Sequence, residues 1–424
     1  MLAHREANGK GRGMDTDIAI VGAGAAGIAA ARRLRARVIP HVLLESARPG
    51  GRAWTRRLRT GPFDAGASWL HDAERNPLVP LAAEAGVALT QAFGRHRHVR
   101  IGPRWATAGE LSDFDDAAAL FDRTARAACE PRDMPLTEAV AGLRSAWLPT
   151  LLYFESCLIA AADPALLSAR DWRDNELLGT NLLPAGGLGA LLARLAPTPV
   201  QRATVRRISG RGPVTLETTH GTLRARAAIV TVSTGVLRAG AIRFSPALLP
   251  SWQAALHALP MGLLSKIVLT PREGARLPLP AGSVARRQLA PNEPGMFFHI
   301  GALGARHVVG FFGGPIAWAC AKPRDAEAFA RAEWCRLFGA GADAIFTRAT
   351  ATDWSTNPDF LGAYAYATPG NTAARAALAQ PEGCLILAGE ALRTDGLAGT
   401  VGGAWLAGEQ AADQAISLLL NHVP

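Results

Sequence analysis

Lysine is nearly missing from this 424-residue chain. Of its 45 basic residues only Lys10, Lys266 and Lys322 are lysines, which leaves 42 arginines. Cysteine is scarce too. Cys129, Cys157, Cys320, Cys335 and Cys384 are odd in number and form no CxxC pair. That argues against a disulfide framework or a metal site, and fits a reducing cytoplasm. No apolar run reaches the roughly 18 residues needed to span a bilayer. No block of five or six like charges occurs, and no aromatic-rich basic strip accompanies the arginines. The net charge of +10 is therefore read as arginine scattered over a surface, with no nucleic acid as partner. The first 13 residues lack an apolar core and do not read as a signal peptide. Residues 1–14 are expected to be a disordered leader, with Met14 as the natural start. There is no internal repeat of about 20–50 residues.

What is present is a large apolar inventory. Hydrophobic residues make up 49% and charged residues 19%, which excludes a disordered chain and allows a large core. Ordered structure begins at Asp17. Asp17 to Val21 reads as a buried parallel strand, Ile28 to Arg37 as an alanine-rich helix, and Val38 to Glu45 as a second strand. Asn76–Gly86, Asp113–Cys129, Leu151–Ala162 and Gly186–Ala196 have helical spacing. Strand signals return at Val214–Thr218, Ala228–Val232 and Lys266–Thr270, with two more between Phe297 and Phe312. Arg324 to Phe338 reads as a helix. The chain closes with a strand at Cys384–Ala388, a glycine-rich turn and a helix over about 401–420. Strand-rich material lies at both ends and in the middle. The fold class is therefore α/β: one nucleotide domain built from three stretches, with a second domain inserted twice.

The run Gly22-Ala23-Gly24-Ala25-Ala26-Gly27 fits GxGxxG. It follows a strand and opens a helix, as a dinucleotide pyrophosphate site requires. The first glycine permits the turn, the second admits the ligand, and the third lets helix and strand pack. The helix N-terminus offers amide donors and partial positive charge. Glu45, 18 residues after Gly27 at the end of the second strand and followed by Ser46, is placed to accept the ribose hydroxyls. An acid there disfavours NADP and leaves NAD and FAD open. Beyond it, in Pro49-Gly50-Gly51-Arg52, Gly51 lets backbone pass close to a ligand and Arg52 can neutralise a diphosphate.

From this point the sequence resembles the flavin-containing amine oxidase family, in which monoamine and polyamine oxidases, L-amino-acid oxidases and their demethylase relatives belong. Gly50-Gly51-Arg52 is similar to the family's second fingerprint. Phe63 to His71, with Gly66, Ala67, Ser68 and Trp69, resembles the segment beside the flavin ring. Leu259-Pro260-Met261-Gly262 followed by Lys266 resembles the segment with the active-site lysine. Trp354 with Gly362-Ala363-Tyr364, Gly389-Glu390-Ala391, and Gly399-Thr400-Val401 through Gly408 resemble the remaining flavin contacts. The likeness runs from Asp17 to about Ala412.

The resemblance implies noncovalent FAD, since Ala363 stands where some monoamine oxidases carry a flavin-bound cysteine. It implies a Rossmann-like FAD domain of residues 15–75, 190–255 and 376–424, and an α+β substrate domain of residues 76–189 and 256–375. It implies hydride transfer from the carbon beside a neutral amine to flavin N5, imine hydrolysis, and reoxidation by O2 to hydrogen peroxide. Lys266 would hold a water near N5, His71 would touch the substrate amine, and Tyr364 would form one wall of an aromatic cage. The opposite wall falls on Thr400, not aromatic, which looks more like the polyamine-oxidase branch. Trp354 could supply an aromatic surface. Glu390 would bond the ribityl or phosphate region, Val205 the adenine, and Gly389, Gly399 and Val401 the flavin edge at a helix N-terminus. The expected partners are O2 and a small-molecule substrate, a primary or secondary amine or a polyamine, without a membrane span, in a cytoplasmic protein for which a homodimer is one assembly. An L-amino-acid oxidase, a C–C desaturase of the same fold, and a non-enzymatic flavoprotein stay open as alternatives.

Overall fold

The computed structural model describes residues 14–91 and 96–421. Most of the expected leader lies outside them. Two sheets organise the chain. In the first, strand Thr16–Val21 runs parallel to Gly221–Val230 on one side and to His41–Glu45 on the other. The sheet extends through Val214–Thr218, Val205–Ser209 and Arg243–Ser245 at one edge and ends at Gln201–Arg202 at the other. Leu385–Leu387 adds a parallel strand beside Ala228–Val230. The central strands are buried on both faces, which is why their sequence is a continuous apolar run. Ile18 and Ile20 face one core, and Ala19 and Val21 the other.

The first core is closed by two helices, Ala25–Ala36 and Val401–Asn421. Small residues let them touch. A Cβ on Gly408 would lie 2.0 Å from the Ala26 carbonyl oxygen. The predicted second strand starts late: Val38 is left-handed (φ 58°) and 87% exposed, and pairing begins at His41. The helix predicted over Leu151–Ala162 is a short α-helix, Leu148–Leu152, that continues as a π-helix over Tyr153–Ile159.

The second sheet has the order Phe346–Ala351, Leu264–Pro271, Val308–Gly313, Phe297–Ile300, Ser283–Arg287, His96–Ile101 and Arg104–Trp105. One face packs on helix Pro323–Phe338 through Ile267, Leu269, Phe298, Phe312 and the fully buried Trp334. Alternation turns Lys266, Val268, Val309 and Phe311 to the other face, against Phe63 and Ala65. Those two residues belong to the hairpin Thr55–Leu58/Gly61–Asp64 and the loop after it. Helix Ala108–Ala128, started by a Thr107/Glu110 capping box, leads a helical cluster that covers the Val99 end of this sheet. Among the described residues no helix is long and apolar enough to cross a membrane.

Gly408→Val should therefore drive a side chain into the Ala26 backbone and cost about 1–3 kcal/mol, a typical overpacking penalty. Denaturant melts that match the wild type would show that the two helices are not packed this closely.

Candidate functional site

The glycine turn is shaped by what surrounds it. Gly22 has φ of +101°, and a Cβ there would sit 2.6 Å from Thr231 Oγ1; a Cβ on Gly27 would sit 1.8 Å from the Gly22 carbonyl oxygen. These two glycines are required by the protein itself. Gly24 is different. It precedes the first helix with extended backbone and no side-chain cap, and the nearest atom to an added Cβ is the Gly51 Cα at 3.8 Å. Protein packing leaves room for a side chain there, so contacts within the chain do not require glycine at this position. The uncapped amides of Ala25, Ala26 and Gly27 begin the helix beside it.

The two glycine loops meet. The Gly50 amide donates to the Ala23 carbonyl at 2.8 Å, and Gly51, at φ +56°, crosses Gly24. Glu45 ties the turn to the second strand, since one carboxylate oxygen accepts from the Ala23 amide at 2.7 Å and the other from Ala47 at 3.0 Å. Ser46 bonds Asp359 at 2.7 Å. Gln201–Arg202 pairs alongside the end of the Glu45 strand, and Val205 follows it as a buried core residue. A backbone cradle, an uncapped helix start and an acid at the strand end form a set that fits the pyrophosphate and ribose of FAD.

A second group gathers around Glu390. Its buried carboxylate accepts from Arg52 at 2.8 Å and from the Ala365 amide at 3.1 Å. Arg52 also donates to the Ala363 carbonyl at 2.8 Å. This ties the second glycine loop to the Gly362–Tyr364 stretch. The Gly399 amide donates to the Glu390 carbonyl at 3.2 Å, and the Tyr364 ring packs within 3.5 Å of where a Gly399 Cβ would be. The Tyr364 hydroxyl donates to the Ile159 carbonyl at 2.8 Å. Thr400 Oγ1 donates to the Leu397 carbonyl at 2.7 Å and accepts from the Gly403 amide at 2.9 Å. It thus caps the last helix at Val401. Gly389 sits at φ 151° just before the Glu390 turn. Trp354 is buried, and its indole N–H donates to the Ala65 carbonyl at 3.0 Å.

Lys266 is 4% exposed. Its Nζ lies 3.0 Å from the Asp64 carbonyl, 2.5 Å from the Gly66 carbonyl and 2.6 Å from Ser68 Oγ. The Trp69 and Phe311 rings close over it at 5.3 and 5.1 Å. Burial lowers its pKa to about 8, opposed by the Asp64 carboxylate. Once neutral, its two N–H bonds match the two carbonyls and its lone pair accepts from the Ser68 hydroxyl. Behind it is a cavity of about 20 Å³, room for one water, bounded in part by Asp64, His299 and His307. Burial pushes both histidines down, to about 3 and about 4, so they stay neutral. Gly66 and Ala67 lean on the Arg52 loop: the Ala67 amide donates to the Arg52 carbonyl at 3.1 Å. His71 Nδ1 bonds Asn181 Oδ1 at 2.7 Å, its ring stands 5.9 Å from Trp69, and burial lowers its pKa.

Lys266, Gly66, Ser68, Trp69 and Arg52 thus form one connected group, and Glu390, Tyr364 and Gly399 join it through Arg52. His71 reaches it across Trp69. Four participants were not foreseen. Thr231 sits 2.9 and 3.1 Å from the Val21 and Gly22 carbonyls; its position just past a central parallel strand was the available signal. Asn181 orients His71. The buried pair Arg375–Asp171, two bonds of 2.8 Å, fastens the helical cluster to the Ala365 strand and to the Ala391 carbonyl.

Fold and site define a mixed α/β flavoprotein with a Rossmann-type nucleotide cradle. The family model described as flavin containing amine oxidoreductase matches residues 151–416, and one described as an NAD(P)-binding Rossmann-like domain matches residues 20–84. The chain belongs to the flavin-containing amine oxidoreductase family and is an FAD enzyme. It is 29% identical to polyamine oxidase 4 of Oryza sativa subsp. japonica, over 94% of this chain and 88% of that one. Among solved structures it resembles cyclohexylamine oxidase from Brevibacterium oxydans IH-35A, with TM-score 0.77, 22% identity, and 96% and 100% of the two chains covered. It also resembles wild-type putrescine oxidase bound to putrescine, with TM-score 0.74, 18% identity, and 95% and 99% covered.

Gly24→Ala should leave the apoprotein's melting temperature within about 2 °C of the wild type, because nothing in the chain opposes the added methyl. FAD affinity, measured by fluorescence titration, should fall at least tenfold. Unchanged affinity would remove Gly24 from the cradle.

Proposed function

We propose that the chain is an amine oxidase that takes a hydride from the carbon beside a neutral primary or secondary amine. Bound FAD supplies the two-electron acceptor at N5, and O2 restores it with release of hydrogen peroxide. In this reading residues 15–75, 190–255 and 376–424 hold the cofactor and residues 76–189 and 256–375 shape the substrate space, which the separation into two large sheets supports. The absence of a thiol at Ala363 supports noncovalent binding. The scarcity of cysteine supports work in the cytoplasm.

The observation that carries this reading is the desolvated Lys266, anchored to the same loop that leans on the Arg52 turn. Near pH 8 it gains or loses its proton while the Asp64 and Gly66 carbonyls and Ser68 occupy its bonding positions, which suits a group that sets the charge beside the reacting centre and not one that holds a water directly. Trp69 and Phe311 keep bulk water off that amine. Tyr364, its hydroxyl tethered to the Ile159 carbonyl, presents a fixed ring against which an amine-bearing carbon can rest. With Nδ1 donating to Asn181, neutral His71 keeps Nε2 as an acceptor for a substrate N–H. Thr400, in this reading, contributes by capping the helix whose first amides face the cofactor, and Trp354 by holding the Ala65 loop in place.

Anaerobic mixing with a panel of amines should bleach the oxidised flavin absorbance, and aerobic turnover should release peroxide. Lys266→Met should slow flavin reduction or reoxidation more than about tenfold. Unchanged rates in both half-reactions would exclude Lys266 from the chemistry. A panel that leaves the flavin oxidised would exclude amine oxidation.

A further inference from the structure

The sheet that carries Lys266 turns a second cation to the same face. Its ladders pair Lys266 with Phe311 and Phe311 with Phe297. Val284 pairs with His299 and Ala285 with Phe298, so the next step sets Arg286 opposite Phe297. Strands lie ~4.8 Å apart, which puts the Arg286 backbone roughly 14 Å from that of Lys266. Two phenyl rings fill the interval, their centroids 6.0 Å apart.

The Arg286 guanidinium is clamped between Phe114 and Phe154, 4.5 and 4.9 Å from their ring centroids. Phe154 stands 6.3 Å from Phe297. It also lies in the π-helix whose Ile159 carbonyl accepts from Tyr364. One wall therefore runs from Lys266 and Tyr364, past aromatic rings, to Arg286.

Arg286 stays cationic among its neighbours: Arg97 repels it, and Glu155 and Asp115 attract it without pairing with it. Arg97 engages Asp115 through two bonds of 2.7 Å. Glu155 accepts from the Trp172 indole at 3.3 Å, and burial raises its pKa to about 7, so near neutrality it carries only part of its charge. Among the described residues no carboxylate forms an ion pair with Arg286. Burial brings its own pKa down to about 10, still above physiological pH.

We propose that Arg286 marks the far end of the substrate space and selects against a second cationic centre, so that the substrates are amines with one basic nitrogen and an apolar body. This rests on the amine-oxidase reading and narrows it. It runs against the polyamines in the names of the chain's relatives. Two positive charges ~7 Å apart at an effective dielectric near 20 repel enough to cost roughly fifty-fold in occupancy. Of the intervening rings, Phe311 already faces the Lys266 amine and Phe154 the Arg286 guanidinium, which leaves Phe297 to attract a second cation against that repulsion.

The test is anaerobic flavin reduction of the holoenzyme by octylamine, 1,8-diaminooctane and 8-aminooctanoate. Wild type should favour octylamine over the diamine at least tenfold in reduction efficiency, with the amino acid no worse than the diamine. Arg286→Glu should shift the monoamine-to-diamine ratio at least tenfold toward the diamine, and Arg286→Gln part of the way. If the glutamate variant fails to fold, the wild-type ratio and the glutamine variant still decide. A diamine that equals or beats the monoamine in wild type overturns the proposal, as does an unchanged ratio in FAD-loaded variants. If none of the three bleaches the flavin while other amines do, the pocket assignment fails alone. If no amine does, the amine-oxidase reading fails with it.

Discussion

Burial of the Lys266 ammonium against the 64–68 loop is the contact on which the rest of the architecture turns. The strand belongs to the second sheet, while the loop leans on the Arg52 turn beside the first glycine loop. Removing a lysine from water is costly unless its donors are met. Three oxygen acceptors meet them here, and the depressed pKa records the residual cost. The same geometry explains why lysine survives in a chain that otherwise uses arginine. A planar guanidinium with five donors would overfill three converging acceptors, and it could not shed its proton.

The cradle shows a similar division between fold and ligand. Gly22 and Gly27 are glycine because Thr231 and the Gly22 carbonyl leave no room for a Cβ. Gly24 has that room and leaves it open. Glu45 both staples the turn and presents an oxygen at the strand end. Arg52 answers the buried charge of Glu390 while holding the Ala363 carbonyl. Removing Arg52 would leave the Glu390 carboxylate buried without its cationic partner and held by the Ala365 amide, which ties the second glycine loop to local stability.

The first strand, turn, helix and acid were legible because each rests on short-range rules: a doubly buried apolar run, glycines at fixed offsets, an alanine-rich helix. The Lys266 strand and both halves of the Phe297–Phe312 hairpin were legible for the same reason. Strands His96–Ile101, Ser283–Arg287 and Phe346–Ala351 were not, because Arg97, Arg100, Arg286, Arg287 and Arg348 interrupt their alternation. In three dimensions some of these arginines behave as half-apolar residues, Arg100 over Trp105 at 5.2 Å and Arg286 between two phenyl rings. A hydrophobicity pattern cannot register that. At the site, Lys266 stood out as a lone lysine. Its acceptors lie about 200 residues away in sequence, and no local signal announces such a meeting. Thr400 was matched to a position facing the flavin; that its hydroxyl is also held by Leu397 and Gly403 in a helix cap is something only the backbone reveals.

On the proposed reading, Lys266, neutralised by burial near pH 8, lies against the bound flavin. A pH titration of the holoenzyme's visible flavin absorbance reads this directly. The spectrum should pass through a transition with a midpoint near 8 as the lysine's charge is lost with rising pH, and Lys266→Met should abolish it. A spectrum unchanged across that range in the wild type, or a transition that persists in the methionine variant, would contradict the claim.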